Sequence, residues 1–260
     1  MRPIGIITDS HSSITQEEAK QLGIWVLPMP FYINGEEYFE GVNLTQKEFF
    51  EYLKNDAEVS TSQPSPGSML TLWDNLLKTY DEIIYFPMSS GLSGSCQTAA
   101  MLAQDYEGKV FVVDNQRISA PLKHSIIDAC TMVQMGKSGQ EIKDYLEKTK
   151  MDSAVYITVD TLKYLKKGGR ITPAAAALGT LLKIKPILQI RGEKLDSYGK
   201  ARTMNQAKKL MIDALKKDVA ENFGGNAKEV HFDIAHTQNE TEAMAVNELI
   251  EENFPGCEVS

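Results

Sequence analysis

The chain has 260 residues, 42% of them hydrophobic, with 35 acidic against 27 basic residues and a formal charge of −8. That size allows one large domain or two moderate ones with real cores. The acidic balance argues against a nucleic-acid binder that works by neutralising phosphates, although a basic face can hide in such an average.

In chain order, strands and helices alternate, the signature of an α/β fold on a parallel sheet. Ile4-Gly5-Ile6-Ile7 reads as a buried strand ending in Thr8-Asp9-Ser10. A helix follows from about Thr15, where Thr15-Gln16-Glu17-Glu18 has the capping-box pattern. Trp25 to Pro28 is the next strand, and Thr45 to Leu53 the next helix, again opened by a capping Thr with Glu three residues on. The polar turn Ser60-Thr61-Ser62-Gln63-Pro64-Ser65-Pro66-Gly67 leads into a helix from Ser68 to Thr79. Ile83 to Phe86 is a strand, Ser95 to Gln104 a helix, Val110 to Asp114 a strand, and Ser119 to Lys150 two helices split at Met135 to Gly139. Ala154 to Val159 is a strand, and Leu162 to Lys167 a short helix that runs into the basic turn Lys166-Lys167-Gly168-Gly169-Arg170. Ile187 to Leu195 suggests a hairpin turning at Arg191-Gly192-Glu193, followed by a helix from Asn205 to about Asn222, a strand from Glu229 to Ala235 and a helix over Glu240 to Asn253. A domain boundary is expected near residue 152.

Several motifs suggest chemistry and then fail a check. Gly136-Lys137-Ser138 imitates the end of a phosphate-binding P-loop, but the leading glycine would be residue 131, a Thr. Gly91-Leu92-Ser93-Gly94-Ser95 approaches a nucleophile elbow, yet its last glycine is Ser95, and only His124 or His236 offers itself as base. Asp9-Ser10 suits a helix cap better than a metal. Cys96, Cys130 and Cys257 lie far apart without a C-x-x-C pair and the four histidines are scattered, so no metal site is expected and a reducing compartment fits. The start MRPIGIITDS is neither a signal peptide nor an anchor, and the apolar stretch around Ala174 to Leu182 is broken by Gly179 and Thr180 and too short to span a bilayer. The expected location is cytoplasmic.

Two loops remain. Ser89-Ser90-Gly91-Leu92-Ser93-Gly94-Ser95 places hydroxyls and glycines after a strand, either as a plain helix cap or as a receptor for an anionic head group. Thr61-Ser62-Gln63-Pro64 is made rigid by proline and leaves three neighbouring polar side chains free to face one point, or is a plain loop. Lys166, Lys167 and Arg170 are either solvated charge or a contact surface.

Together with Thr8-Asp9-Ser10, those two loops, Val159-Asp160-Thr161-Leu162-Lys163-Tyr164-Leu165, Gly168-Gly169-Arg170-Ile171, Leu182-Lys183-Ile184-Lys185-Pro186-Ile187-Leu188 and Lys200-Ala201-Arg202 occur in an order that resembles the DegV family of fatty-acid-binding proteins. The resemblance implies an α/β fold of two domains. Residues 1–152 would form a three-layer α/β/α domain with a parallel sheet, and residues 153–260 a two-layer α/β domain with a mixed sheet. A long-chain fatty acid would lie in an apolar tunnel between them, its carboxylate held by Thr61, Ser62, Ser93 and Gly94.

The resemblance further implies a carrier, not a complete enzyme: the lipid-binding subunit of a two-component fatty acid kinase, whose separate ATP-dependent protein makes the acyl phosphate. Arg170, Lys200 and Arg202 match basic positions that would meet that kinase or the acyl phosphate. No cofactor or metal is implied, and lipid exchange would involve transient membrane contact. A stand-alone enzyme, either a Ser93 hydrolase or a small-molecule kinase, and a lipid-responsive regulator stay open as alternatives. Family members continue past the Glu240 to Asn253 helix with a strand and a histidine-bearing loop. The sequence, ending at Ser260, is therefore expected to lack its last strand and to be shorter than the natural protein; His236 matches an earlier position and does not replace that histidine.

Overall fold

The computed structural model describes residues 3–178 and 184–260, and the chain divides into two compact units, Met1–Ser153 and Ala154–Ser260. The first unit runs β1 (Ile4–Asp9), α1 (Gln16–Leu22), β2 (Trp25–Leu27), β3 (Pro30–Ile33), β4 (Glu36–Phe39), α2 (Gln46–Lys54), β5 (Val59–Thr61), α3 (Pro66–Leu76), β6 (Glu82–Phe86), α4 (Ser95–Ala103), β7 (Val110–Val112), α5 (Ser119–Gln134) and α6 (Gly139–Lys148). Its main sheet has the order β2-β1-β6-β7, with every pairing parallel.

Alternation along these strands builds two cores. Ile6, Ile84 and Phe86 face one side, packed with Ile14 and Ala19 near α1, Leu122 and Ile126 of α5 and Ile142 of α6. Ile7, Ile83 and Tyr85 face the other, packed with Met69 and Trp73 of α3 and Ala99 of α4. The sheet buried on both faces explains why its strands read as apolar runs, not alternating ones. Side chains as large as Trp73, Tyr85 and Phe86 are fully buried, each worth about 1.5–3 kcal/mol.

The helices start where the sequence places their caps. Thr15 and Thr45 each close a capping box, with Glu18 and Glu48. Ser138 does the same with Glu141, and Lys137 pairs with that Glu141, so the P-loop imitation is a helix cap. A second sheet, of order β4-β3-β5 and antiparallel, is a feature the sequence analysis does not anticipate. Its hairpin turns at Asn34 and Gly35, both with positive φ (51° and 87°). That is the Asn-Gly dipeptide favoured in two-residue hairpin turns.

The second unit contains β8 (Val155–Thr158), α7 (Lys163–Gly168), α8 (Pro173–Leu178), β9 (Lys185–Ile190), β10 (Leu195–Ala201), α9 (Met204–Glu221) and α10 (Glu240–Asn253). Its described sheet, β10-β9-β8, pairs antiparallel. Parallel pairing among the unit's described residues comes from single bridges, Ile171 with Leu195 and Phe232 with Val259. Gly179 to Leu182 of the apolar stretch, and Leu182-Lys183 of the motif ending at Leu188, lie outside the described residues.

The expected strand Glu229 to Ala235 is not formed. Ala227–Glu229 is a 3-10 turn, and beyond it Phe232 makes only its one bridge. Phe232 is buried with Ile212, Ile250 and Phe254 while its neighbours His231 and Asp233 are exposed. The alternating pattern therefore reports an extended segment with one face on a core, which a strand shares but does not own.

Candidate functional site

In the main sheet the chain runs from β1 outward to β2 on one side, then re-enters at β6 and runs outward to β7 on the other. The order reverses between β1 and β6, and the carboxyl ends of strands flanking such a reversal form the crevice where open α/β sheets bind ligands. The loops that leave β1 and β6 there are Asp9–Ser13 and Pro87–Gly94.

Buttresses from two neighbouring segments fix the second loop. Asp9, fully buried at the end of β1, accepts hydrogen bonds from Met88 N (2.8 Å) and His11 N (3.0 Å). Asp114, just past β7, accepts from Ser90 N at 3.3 Å, and the Arg117 carbonyl accepts from Ser89 N at 2.9 Å. Within the loop, Gly91 N donates to Ser89 Oγ, Leu92 N and Ser93 N to the Ser89 carbonyl, and Ser95 N to Ser93 Oγ. Between Met88 and Ser95, Gly94 N–H alone among the described amides has no partner.

This narrows the chemistry. A phosphate nest presents several converging backbone amides, whereas this loop offers one amide and its side-chain hydroxyls. Ser93 Oγ already accepts from Ser95 N, so its own proton is free to donate to an anion. Gly94 caps α4 without a side chain, which leaves the approach to its N–H open.

Thr61 ends β5, opposite Phe31, and Ser62 N donates to the Pro30 carbonyl at 3.1 Å. Both residues are exposed. Gln63 joins their loop to α4: its Oε1 accepts from Thr98 Oγ1 at 3.2 Å, and a Cβ placed on Gly94 would lie 3.3 Å from that same oxygen. Buried Pro64 and the cap that Ser65 places on Ser68 N hold the turn between β5 and α3. The structure thus brings the Thr61–Pro64 and Ser89–Ser95 loops together through Gln63.

The basic residues are arranged differently. Ile171, next to Arg170, bridges to Leu195 at the start of β10, whereas Lys200 lies near its end and Arg202 just beyond. At about 3.3 Å per residue along a strand, the bridge beside Arg170 lies roughly 16 Å along β10 from Lys200.

Electrostatics inside the first unit favour support over reaction. Burial raises the Asp9 carboxyl above the usual range, against the lowering effect of His11 and the two amides. Burial likewise pushes the Cys96 thiol up to about 12, which removes it as a nucleophile. Ser93 makes no hydrogen bond to a histidine among the described residues, and no group of three or more His, Cys, Asp or Glu there is placed to hold a metal. Asp9 is the helix cap that its sequence suggests, accepting from His11 N at the start of a 3-10 turn, while its hold on Met88 N, and the roles of Asp114 and Gln63, are what sequence reasoning did not single out. The Thr61–Pro64 motif contained Gln63.

Residues 3–260 match the family model described as uncharacterised protein, DegV family. The chain belongs to the DegV family. A DegV domain-containing protein of Staphylococcus aureus strain N315 is 35% identical over 219 residues, 84% of this chain and 77% of its own length. Among solved structures, a DegV family protein from Thermus thermophilus, described by its fatty acid binding, superposes with a TM-score of 0.88 at 30% identity, covering 100% of this chain and 91% of its own. DegV from Bacillus subtilis, described as a fatty acid binding protein, gives 0.85 at 28% identity, covering 100% and 92%. The DegV fold of this chain is therefore established.

Proposed function

We propose that this protein is a cytoplasmic carrier that binds a long-chain fatty acid in an apolar tunnel between its two units. It presents the carboxylate, held by Thr61, Ser62, Ser93 and Gly94, to a separate ATP-dependent kinase. The observation that carries this reading is the loop in which every amide but that of Gly94 is already paired, leaving one N–H and neutral hydroxyls for an anion. Such donors hold a carboxylate by charge-assisted hydrogen bonds while leaving its oxygen nucleophilic. In the kinase complex that oxygen attacks the γ-phosphorus of ATP and ADP leaves. The fatty acid binding described for the Thermus thermophilus and Bacillus subtilis relatives supports the ligand class.

Residues 154–202 hold ten basic and three acidic residues in a chain of charge −8. That local excess supports a role for Arg170, Lys200 and Arg202 toward an anionic partner, either the kinase or the acyl phosphate. Among the described residues no helix is long and apolar enough to cross a membrane, and lipid exchange would use transient contact with one.

Mass spectrometry of lipid extracted from the purified protein tests the reading. A bound acid of roughly 14 to 18 carbons is expected, since each buried methylene contributes about 0.8 kcal/mol. Removing it should lower the melting temperature. The double variant Thr61→Ala with Ser93→Ala should keep its fold, bind palmitic acid more weakly by about 1.5–3 kcal/mol per lost hydrogen bond, and support less acyl phosphate. No extracted acyl chain, together with a melting temperature indifferent to added palmitic acid, overturns the proposal.

A further inference from the structure

Gln63 sits at the junction of the two loops, and only half of its amide is spoken for. Its oxygen accepts the Thr98 hydroxyl at 3.2 Å. In this bond the Thr98 hydroxyl donates and the Gln63 amide oxygen accepts. Thr98 is itself fixed, its N–H donating to the Gly94 carbonyl across the first turn of α4 at 3.0 Å. Gln63 Nε2, bonded to the same carbon as that oxygen, has no partner among the described residues and carries two donor hydrogens.

The same oxygen lies 3.3 Å from the Cβ position of Gly94, so the Gln63 amide packs beside the residue that carries the one unpaired N–H of the loop. An ionised carboxylate has about four acceptor positions. In the site proposed above, Thr61, Ser62, Ser93 and Gly94 would supply neutral donors to them.

We infer that Gln63 Nε2 is a further donor to the ligand's carboxylate, placed by the Thr98 bond, and that it selects an ionised head group over a neutral one. The inference rests on the fatty-acid reading and adds a residue and a selectivity to it. A neutral alcohol head offers fewer acceptors and can donate, so it gains less from an NH2 at that point. A Gln63 that merely braced the two loops would instead strengthen acid and alcohol alike.

The test compares the dissociation constants of palmitic acid and 1-hexadecanol for the full chain and three variants, with the melting temperature of each ligand-free protein as the fold control. Gln63→Leu should weaken palmitic acid roughly ten- to hundredfold, the loss of one hydrogen bond to a charged group. Gln63→Glu, which sets a like charge against the carboxylate, should weaken it further. Hexadecanol should change by less than about tenfold in both. Thr98→Val should reduce palmitic acid binding to a smaller degree, by releasing the amide. Equal losses for acid and alcohol would reduce Gln63 to a brace, and palmitic acid affinity within about twofold of the parent in both Gln63 variants would remove it from the site; either overturns the inference alone. A parent protein that binds no palmitic acid overturns the fatty-acid reading, and this inference with it.

Discussion

Asp9 is an acid that keeps its place by what it accepts. Asp9→Ala would leave the N–H groups of Met88 and His11 without their acceptor, at about 1–3 kcal/mol for each buried donor. Asp9→Asn keeps one acceptor oxygen and should cost less. Their pH behaviour separates this residue from Glu18. Burial raises the folded-state pKa of Asp9, so the native state holds a proton that the unfolded chain has released, and stability falls as pH climbs above the ordinary carboxyl value of 3.8. Glu18 is pulled down to about 2, first by its hydrogen bond from Lys123 and then by Thr15 N–H. Its contribution is full above its ordinary value and is lost as pH falls toward 2. Urea midpoints measured from pH 2 to 6 should show Asp9→Asn and Glu18→Gln changing the slope in opposite senses. Matching slopes would contradict both assignments. The Glu18–Lys123 pair is largely solvated, so its effect should be the smaller one and fade with salt.

At the scale of elements, the β3–β4 hairpin decides where Thr61 stands, because β5 pairs with β3. Gly35 holds φ at +87°, where a side chain costs about 1–2 kcal/mol. Gly35→Val should therefore lower the melting temperature and weaken palmitic acid binding together. A variant that lost stability yet bound normally would uncouple hairpin from site. The Asn34-Gly35 turn was legible in the sequence but hidden by its context, since β4 begins with Glu36 and Glu37, both exposed, and lacks the apolar alternation that marks a half-buried strand. The capped helices were legible because a cap is a local device, satisfied within four residues of chain. Val230, Phe232 and Ile234 misled for the opposite reason. Their inward alternation is real, but a strand needs a partner, and pairing is not written in the pattern of one segment. The Ser89–Ser95 loop falls between these cases: its residue types suggested an anion site, while the carboxylates of Asp9 and Asp114 that consume its amides arrive from strands distant in sequence.

For the whole molecule, the averaged charge conceals a division. Residues 1–153 hold 12 basic and 21 acidic side chains, residues 154–202 ten and three, and residues 203–260 five and 11. Composition alone gave no hint that the basic residues are concentrated in the stretch that contains β8, β9 and β10. Connectivity adds a second property that composition hides. The loop after β6 is built from glycine and serine, the residues of flexible linkers, yet the amides of Met88, Ser89 and Ser90 are tied to the end of β1 and to the segment that follows β7. Freeing them means parting those segments from the sheet that both cores cover. Its opening should accordingly cost close to what global unfolding costs. Hydrogen exchange by mass spectrometry should find residues 88–90 deuterating as slowly as β6, with the Gly94 amide exchanging early. Rapid exchange throughout would mean that the loop breathes on its own. If it does not, the ligand meets a receptor already in its bound shape, and the observed association rate should rise linearly with palmitic acid concentration, without the plateau that a slow conformational step imposes.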